Sequence, residues 1–268
     1  MDYCLETTSL CKEYGHYKAL NGLSMHIPKG SIYGLVGKNG AGKTTLIRLI
    51  TGIQKPTSGE YILYNVKNTD KAINKARRRM GAVVETPAVY LEMTAEENLI
   101  MQYQILGIPN YDGIADLLKL VGLADCGKKK AKDFSLGMKQ RLGIAVALCG
   151  SPDFLILDEP ESSFDNIFLK DGVDVLLKEL SEHIPVVIAT HNNTIGASVH
   201  PDFLIYTEKE ITPDGAITYH LYSGYPTSEE LTDLEGNKLK RRSIMLNCLE
   251  AGEEAYLERS KTYEVSLH

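Results

Sequence analysis

The sequence predicts an α/β fold with a mainly parallel core sheet, on three observations. A short apolar run, Ser31–Val36, leads through a glycine-rich loop into a helix-patterned segment. Two further uninterrupted apolar runs, Phe154-Leu155-Ile156-Leu157 and Pro185-Val186-Val187-Ile188-Ala189-Thr190, have the composition of strands buried on both faces, as parallel strands are. Each of the three runs ends in residues suited to phosphate chemistry. Ligands in open α/β sheets bind beyond the carboxyl ends of the strands, so the three ends are expected to share one site.

The first run is followed by Gly37-Lys38-Asn39-Gly40-Ala41-Gly42-Lys43-Thr44, then Thr45, which satisfies G-x-x-x-x-G-K-[ST] in the strand-to-helix context that motif needs. Glycines admit a phosphate close to the backbone, and successive N–H groups at a helix start supply positive potential to it. Lys43 is placed to reach the outer phosphates of a nucleotide, and the Thr44 hydroxyl to ligate Mg²⁺, which demands hard oxygen donors. The helix over Thr44–Thr51 buries Leu46, Leu49 and Ile50, with Gly52 as its C-cap and Pro56 beyond. Asp158 and Glu159 end the second run, and His191 the third. Asp158 suits the Mg²⁺ shell and Glu159 suits a general base, with His191 facing the terminal phosphate.

The stretch Phe134-Ser135-Leu136-Gly137-Met138-Lys139-Gln140-Arg141-Leu142, shortly before Asp158, resembles the signature motif of ATP-binding cassette (ABC) ATPases. The resemblance covers roughly residues 5 to 224. It implies a phosphate-loop NTPase core with a mainly parallel sheet, antiparallel β elements and an inserted helical subdomain at about 87–150, within a cassette over 1–226. It also implies an ATP-hydrolysing transporter subunit that needs Mg²⁺, a transmembrane permease and a second cassette, as a homodimer. Such a subunit sits at the cytoplasmic face of the cell membrane, held there through the permease.

By the same resemblance, Tyr14 matches the aromatic that stacks on adenine, with Tyr17 as a rival for that role. Glu85 falls where the family has a glutamine linking core to helical subdomain and approaching the metal. Asp165 falls at the aspartate that crosses the dimer interface, and His191 at the switch histidine. Ser135 and Gly137 would meet the nucleotide held by the other protomer. The region from Glu85 to Tyr103 would receive the coupling helix of the membrane subunit.

Departures from the family pattern are informative. Leu136 replaces the first signature glycine and Glu85 replaces the glutamine, and both occur in one branch. The Ser-Leu-Gly-Met-Lys-Gln-Arg-Leu and Val-Val-Glu-Thr-Pro strings are similar to exporters of the bacitracin and lantibiotic resistance and self-immunity type. Ser163 and Phe164 stand where a glycine-leucine pair usually precedes Asp165, which puts the rate of hydrolysis in question. Two readings from other classes therefore stay open: an ATP-binding regulatory clamp with weak hydrolysis, and a soluble mechanical ATPase without a membrane partner.

Composition excludes more than it assigns. The chain has 268 residues, 43% of them hydrophobic, enough for a substantial core, and its net charge of −6 argues against a nucleic-acid partner. The runs Arg77-Arg78-Arg79 and Lys128-Lys129-Lys130 read as solvated surface charge. Cys4, Cys11, Cys126, Cys149 and Cys248 are scattered without metal-ligand spacing and read as reduced thiols. The N-terminus lacks a charged-then-apolar leader and no apolar stretch is long enough to span a bilayer, so any membrane role is expected to run through partners.

Near the C-terminus, Asp202–Thr207 and Ile217–Ser223 read as strands joined around Pro213-Asp214-Gly215. Thr227 and Glu230 then form a capping-box pattern, with Leu239, Leu246, Leu249 and Tyr256 on one helical face. Residues 227–268 are therefore expected to be a helical extension, for packing, dimerisation or regulation.

Overall fold

A computed structural model describes residues 3–28, 32–160, 179–180, 184–191, 201–211, 217–233 and 236–240. Two sheets organise them. Strands β1 (Tyr3–Tyr14), β2 (Tyr17–Pro28), β4 (Ser58–Leu63) and β5 (Val66–Lys67) form an antiparallel sheet in the order β2-β1-β4-β5. The second sheet runs β12-β11-β10-β9-β3-β8-β7-β6. Its parallel part is β9 (Phe203–Ile211), β3 (Ile32–Gly37), β8 (Val186–Thr190), β7 (Phe154–Asp158) and β6 (Met80–Val83). Strands β10 (Ile217–Gly224), β11 (Glu230–Thr232) and β12 (Lys238–Lys240) extend it antiparallel.

The apolar runs are explained by two cores on opposite faces of the parallel strands. Along β7, Phe154 and Ile156 join a core with the antiparallel sheet and α1 (Lys43–Thr51), while Leu155 and Leu157 join a core with the helical segment. Along β8, Val187 and Ala189 face the first core, and Val186 and Ile188 the second. Because side chains alternate faces, a strand covered on both sides must be apolar throughout. Each Val, Leu, Ile or Phe side chain among them contributes roughly 1.5–3 kcal/mol of burial.

Helix α1 ends at Gly52, which adopts φ 83° and donates its N–H to the Leu49 carbonyl, as the sequence predicts. After it, α2 (Ile73–Arg77) leads into β6. The inserted segment carries α3 (Ala95–Leu106), α4 (Ile114–Leu120) and α5 (Leu136–Leu148), with short 3₁₀ turns at Ala124–Cys126 and Ala131–Asp133. A full capping box starts α3: Thr94 Oγ1 accepts from Glu97 N–H at 3.2 Å, and Glu97 Oε2 accepts from Thr94 N–H at 2.8 Å.

One expectation is corrected. The helix predicted from Thr227 is not formed over the described residues 227–233 and 236–240; Glu230–Thr232 and Lys238–Lys240 are strands that add to the sheet edge beside β10. Gly236 takes φ 87°, and the Asp233 carboxylate accepts from both Asn237 N–H and Asn237 Nδ2, which closes a turn instead. Leu239 accordingly lies on β12, while Leu246, Leu249, Tyr256 and Cys248 lie outside the described residues.

Candidate functional site

The parallel register brings the predicted site residues to one edge. Val36 lies opposite Thr190, and Asp158 opposite Ala189, so β3, β8 and β7 end level with one another. The phosphate-loop motif begins at the end of β3, Glu159 follows β7 and His191 follows β8. The Glu159 N–H donates to the Ala189 carbonyl at 2.8 Å, tying the two strand ends together.

The loop itself is shaped for close approach. A Cβ at Gly37 would strike the Thr207 hydroxyl and carbonyl, so only glycine fits beside β9. Gly42 caps α1 at φ 89° and brings no side-chain acceptor to the first turn. That leaves the N-terminal N–H groups and the helix dipole open to an anion, over a loop whose Lys38, Asn39 and Gly40 are exposed. Ala41 and Lys43 are buried, with Thr44 and Thr45 half-buried on the first turn. Lys43 Nζ donates to the Gly37 carbonyl at 2.6 Å and the Lys38 carbonyl at 3.2 Å, so its charge lies within the loop.

Asp158 is the most unusual group here. It is fully buried, and neither carboxylate oxygen meets a partner in hydrogen-bond geometry. Burial raises its carboxyl to about 6; Glu159 and Glu85 push the same way, while the nearby Thr44 hydroxyl and Lys43 ammonium push back. A buried carboxylate flanked by further acids is costly unless a cation completes it. The residues therefore fit a hard divalent cation, with Asp158 and Thr44 as oxygen donors. No group of three acidic, histidine or cysteine side chains closes on a point among the described residues.

Glu159 Oε1 stands 3.1 Å from His191 Nδ1, both partly exposed at the edge. Glu159 adopts φ 46°, a left-handed conformation uncommon outside glycine, which turns its side chain out of the strand path. Glu85 is also left-handed, at φ 56°, and both of its oxygens are engaged by Arg48 Nη2 at 2.7 and 2.8 Å. Sequence reasoning passed over Arg48. Its signal was present, because Arg48 follows Thr44 by four residues and so shares its face of α1.

The remaining predicted residues are spread wider. Tyr14 and Tyr17 face each other across the β1–β2 hairpin, 43% and 42% exposed. Lys12 Nζ lies 5.1 Å from the Tyr14 ring centroid and Lys209 Nζ 4.7 Å from that of Tyr17, while the Tyr14 hydroxyl donates to Gln54. Ser135 is the N-cap of α5, its Oγ accepting from Met138 N–H at 3.2 Å, and Gly137 lies in the first turn. Leu136 beside them is 56% exposed. Asp165, Ser163 and Phe164 lie outside the described residues.

Fold and site together define an α/β protein of the phosphate-loop class with an inserted helical segment. Residues 20–162 match the ABC transporter family model, and the chain belongs to that family. It is 43% identical over 194 residues to the bacitracin transport ATP-binding protein BcrA of Bacillus licheniformis, an alignment covering 71% of this chain and 62% of that one. It is 36% identical over 244 residues to the lantibiotic transport ATP-binding protein SrtF of Streptococcus pyogenes, covering 89% of this chain and all of the other. Among solved structures, the dimeric post-hydrolysis ATP-binding cassette MJ0796, bound to ADP and Pi, aligns with TM-score 0.67 at 26% identity, over 75% of this chain and 93% of that one. The chain thus spans somewhat less than two thirds of the BcrA relative's length. No helix among the described residues is long and apolar enough to cross a membrane.

Proposed function

We propose that this chain binds and hydrolyses Mg·ATP as the energy-supplying subunit of a transporter that exports peptide-like or antibiotic-like substrates. The observation that carries this reading is the buried, unpartnered Asp158 carboxylate beside Thr44 at the mouth of the phosphate loop. A solvated acidic turn would leave it exposed, whereas here it is buried with Glu159 and Glu85 nearby in charge.

In this scheme the loop N–H groups and Lys43 bind the phosphates, and Lys43 exchanges its loop carbonyls for phosphate oxygens. Asp158 and Thr44 hold Mg²⁺, which neutralises phosphate charge when bound. Glu159 accepts the proton of the attacking water, and His191, hydrogen-bonded to it, fixes the carboxylate and faces the terminal phosphate. Tyr14 is the adenine platform. Ser135, Gly137 and Asp165 complete the site of a second, identical cassette across the interface.

The names of the BcrA and SrtF relatives support the substrate class. The permease is assigned the groove of about 710 Å³ lined by Arg78, Val89, Tyr90, Gln102 and Ile105, between the core and α3. Docked there, the subunit is peripheral at the cytoplasmic face of the membrane. The cassette takes residues 1–226, and 227–268 form an extension whose first strands continue the cassette sheet.

Glu159→Gln tests the chemistry. The variant is expected to bind Mg·ATP, to lose at least about 100-fold in turnover, and to accumulate an ATP-dependent dimer by light scattering. Equal hydrolysis by variant and wild type would remove Glu159 as the base and favour the regulatory clamp. A tagged chain recovered from gently solubilised membranes is expected to carry a polytopic protein; its absence would favour a soluble mechanical ATPase.

A further inference from the structure

A half-buried lysine stands beside the phosphate loop without an acidic partner. Thr207 on β9 lies opposite Gly37 on β3, and a Cβ at Gly37 would strike its hydroxyl and carbonyl. Lys209 follows two residues later on the same face of β9, beyond the end of β3. Its ammonium lies 4.7 Å from the Tyr17 ring centroid and 3.5 Å from the Tyr17 hydroxyl, and among the described residues no carboxylate pairs with it. Tyr17 in turn starts β2, and a Cβ at Gly42 would strike the Ala19 carbonyl and the Leu20 side chain of that strand. Lys209 is thereby tied to both ends of the loop, through β9 to Gly37 and through Tyr17 to Gly42. Sheet order gives the loop a direction. β8 and β7, which lead to His191, Asp158 and Glu159, lie on one side of β3, and β9 lies on the other. A nucleotide with its terminal phosphate toward those groups leaves the loop on the β9 side, toward Lys209.

We propose that Lys209 is a nucleotide-binding residue, resting on the Tyr17 ring in the free chain and pairing with the phosphate nearest the nucleoside when ATP or ADP is bound. The inference rests on the proposed Mg·ATP site and adds to it a charge from outside the loop and strand-end motifs. An ammonium over an aromatic face is weakly held, and an anionic oxygen within reach is the stronger partner. Half-burial limits the screening of that pair without removing it.

A lysine that merely pins the hairpin to β9 would act through Tyr17 and be indifferent to salt, whereas a charge on a phosphate is not. For Lys209→Met, calorimetry on the full chain is expected to show ATP and ADP both weakened about three- to tenfold, and by the same factor. In about 0.5 M NaCl the ratio of wild-type to variant affinity is expected to fall below about twofold. Lys209→Arg, which keeps the charge and stacks on an aromatic ring, is expected to stay within about twofold of wild type. Lys209→Gln decides the matter if Lys209→Met does not fold. Unchanged affinity, a loss confined to ATP, or a loss equal at low and high salt would overturn the assignment. If wild type itself binds neither nucleotide, the functional reading fails instead.

Discussion

The carboxyl edge of β3, β8 and β7 and the helical segment over 87–150 present their chemistry in different ways. At the sheet edge, each group stands at the end of a strand buried on both faces, and its neighbours come from the same chain: Glu159 on His191, Asp158 beside Thr44, Lys43 on its own loop. In the helical segment, Ser135 and Leu136 lie at the start of α5 with Leu136 open to solvent. The first region gathers its charged groups at one largely buried edge. The second shares a core with β7 and β8 and presents its motif outward, which suits a surface completed by another molecule. Burial within one chain thus fixes the geometry of the first region, and exposure leaves the second open to contact.

If that contrast holds, relieving strain at the sheet edge should stabilise the chain while harming function. Burial raises the Asp158 carboxyl from 3.8 to about 6, so the folded chain holds that proton more tightly than the unfolded chain does. The nucleotide-free protein is then most stable, for this group, below pH 4 and loses stability as pH rises from about 4 to 6. The total is about 3 kcal/mol at neutral pH. Asp158→Asn should recover much of this, since a neutral amide suffers less from burial than a charge. The expected result is a higher denaturation midpoint at pH 7, a flatter profile between pH 4 and 6, and loss of Mg²⁺-dependent ATP affinity. A lower midpoint at pH 7 would mean that Asp158 is satisfied without a cation.

The helical segment should respond in the opposite way, losing stability without losing the phosphate site. Buried Asn98 on α3 accepts from Tyr90 N–H at 2.7 Å and donates to the Tyr90 and Thr94 carbonyls at 3.1 and 2.8 Å. These bonds fix the turn before α3 that presents Tyr90 and Leu91, both about half exposed. Asn98→Ala strands the Tyr90 N–H, while the Tyr90 and Thr94 carbonyls keep the Met93 and Asn98 N–H groups, and should cost about 2 kcal/mol. Hydrogen exchange should rise over 90–99 while ATP affinity stays within about twofold of wild type. A large loss of ATP affinity would show that the two regions do not act independently.

The same contrast explains what could be read from the chain alone. The strands β3, β7 and β8 and the loop residues 37–44 were legible because alternation on two buried faces and phosphate-loop geometry each leave a local pattern. Tertiary competition erased other signals. Thr227 and Glu230 have the same spacing as Thr94 and Glu97, yet only the latter cap a helix. Ala95 to Leu106 is a long run of helix-forming residues, whereas Gly236 lies close after Glu230 and the open edge of β10 offers hydrogen bonds. Glu85 could be placed by its neighbours in sequence, but not its partner Arg48, because the pair spans 37 residues.

The smallest expected effect divides stability from assembly at one side chain. Ser135 Oγ satisfies the Met138 N–H at the start of α5, so Ser135→Ala removes an N-cap and should cost about 1 kcal/mol. That is a local change, and monomeric ATP binding through the phosphate loop should not feel it. The capping bond uses the hydroxyl oxygen as acceptor, which leaves the hydroxyl proton available to a phosphate oxygen of a second cassette. Ser135→Asp keeps an N-cap acceptor but places negative charge where that phosphate would lie. Comparing the two variants in the Glu159→Gln background separates the roles. Capping alone predicts that Ser135→Asp is as stable as the parent and dimerises as well with ATP. Participation across the interface predicts normal stability and ATP binding for Ser135→Asp, with its ATP-dependent dimer lost by light scattering.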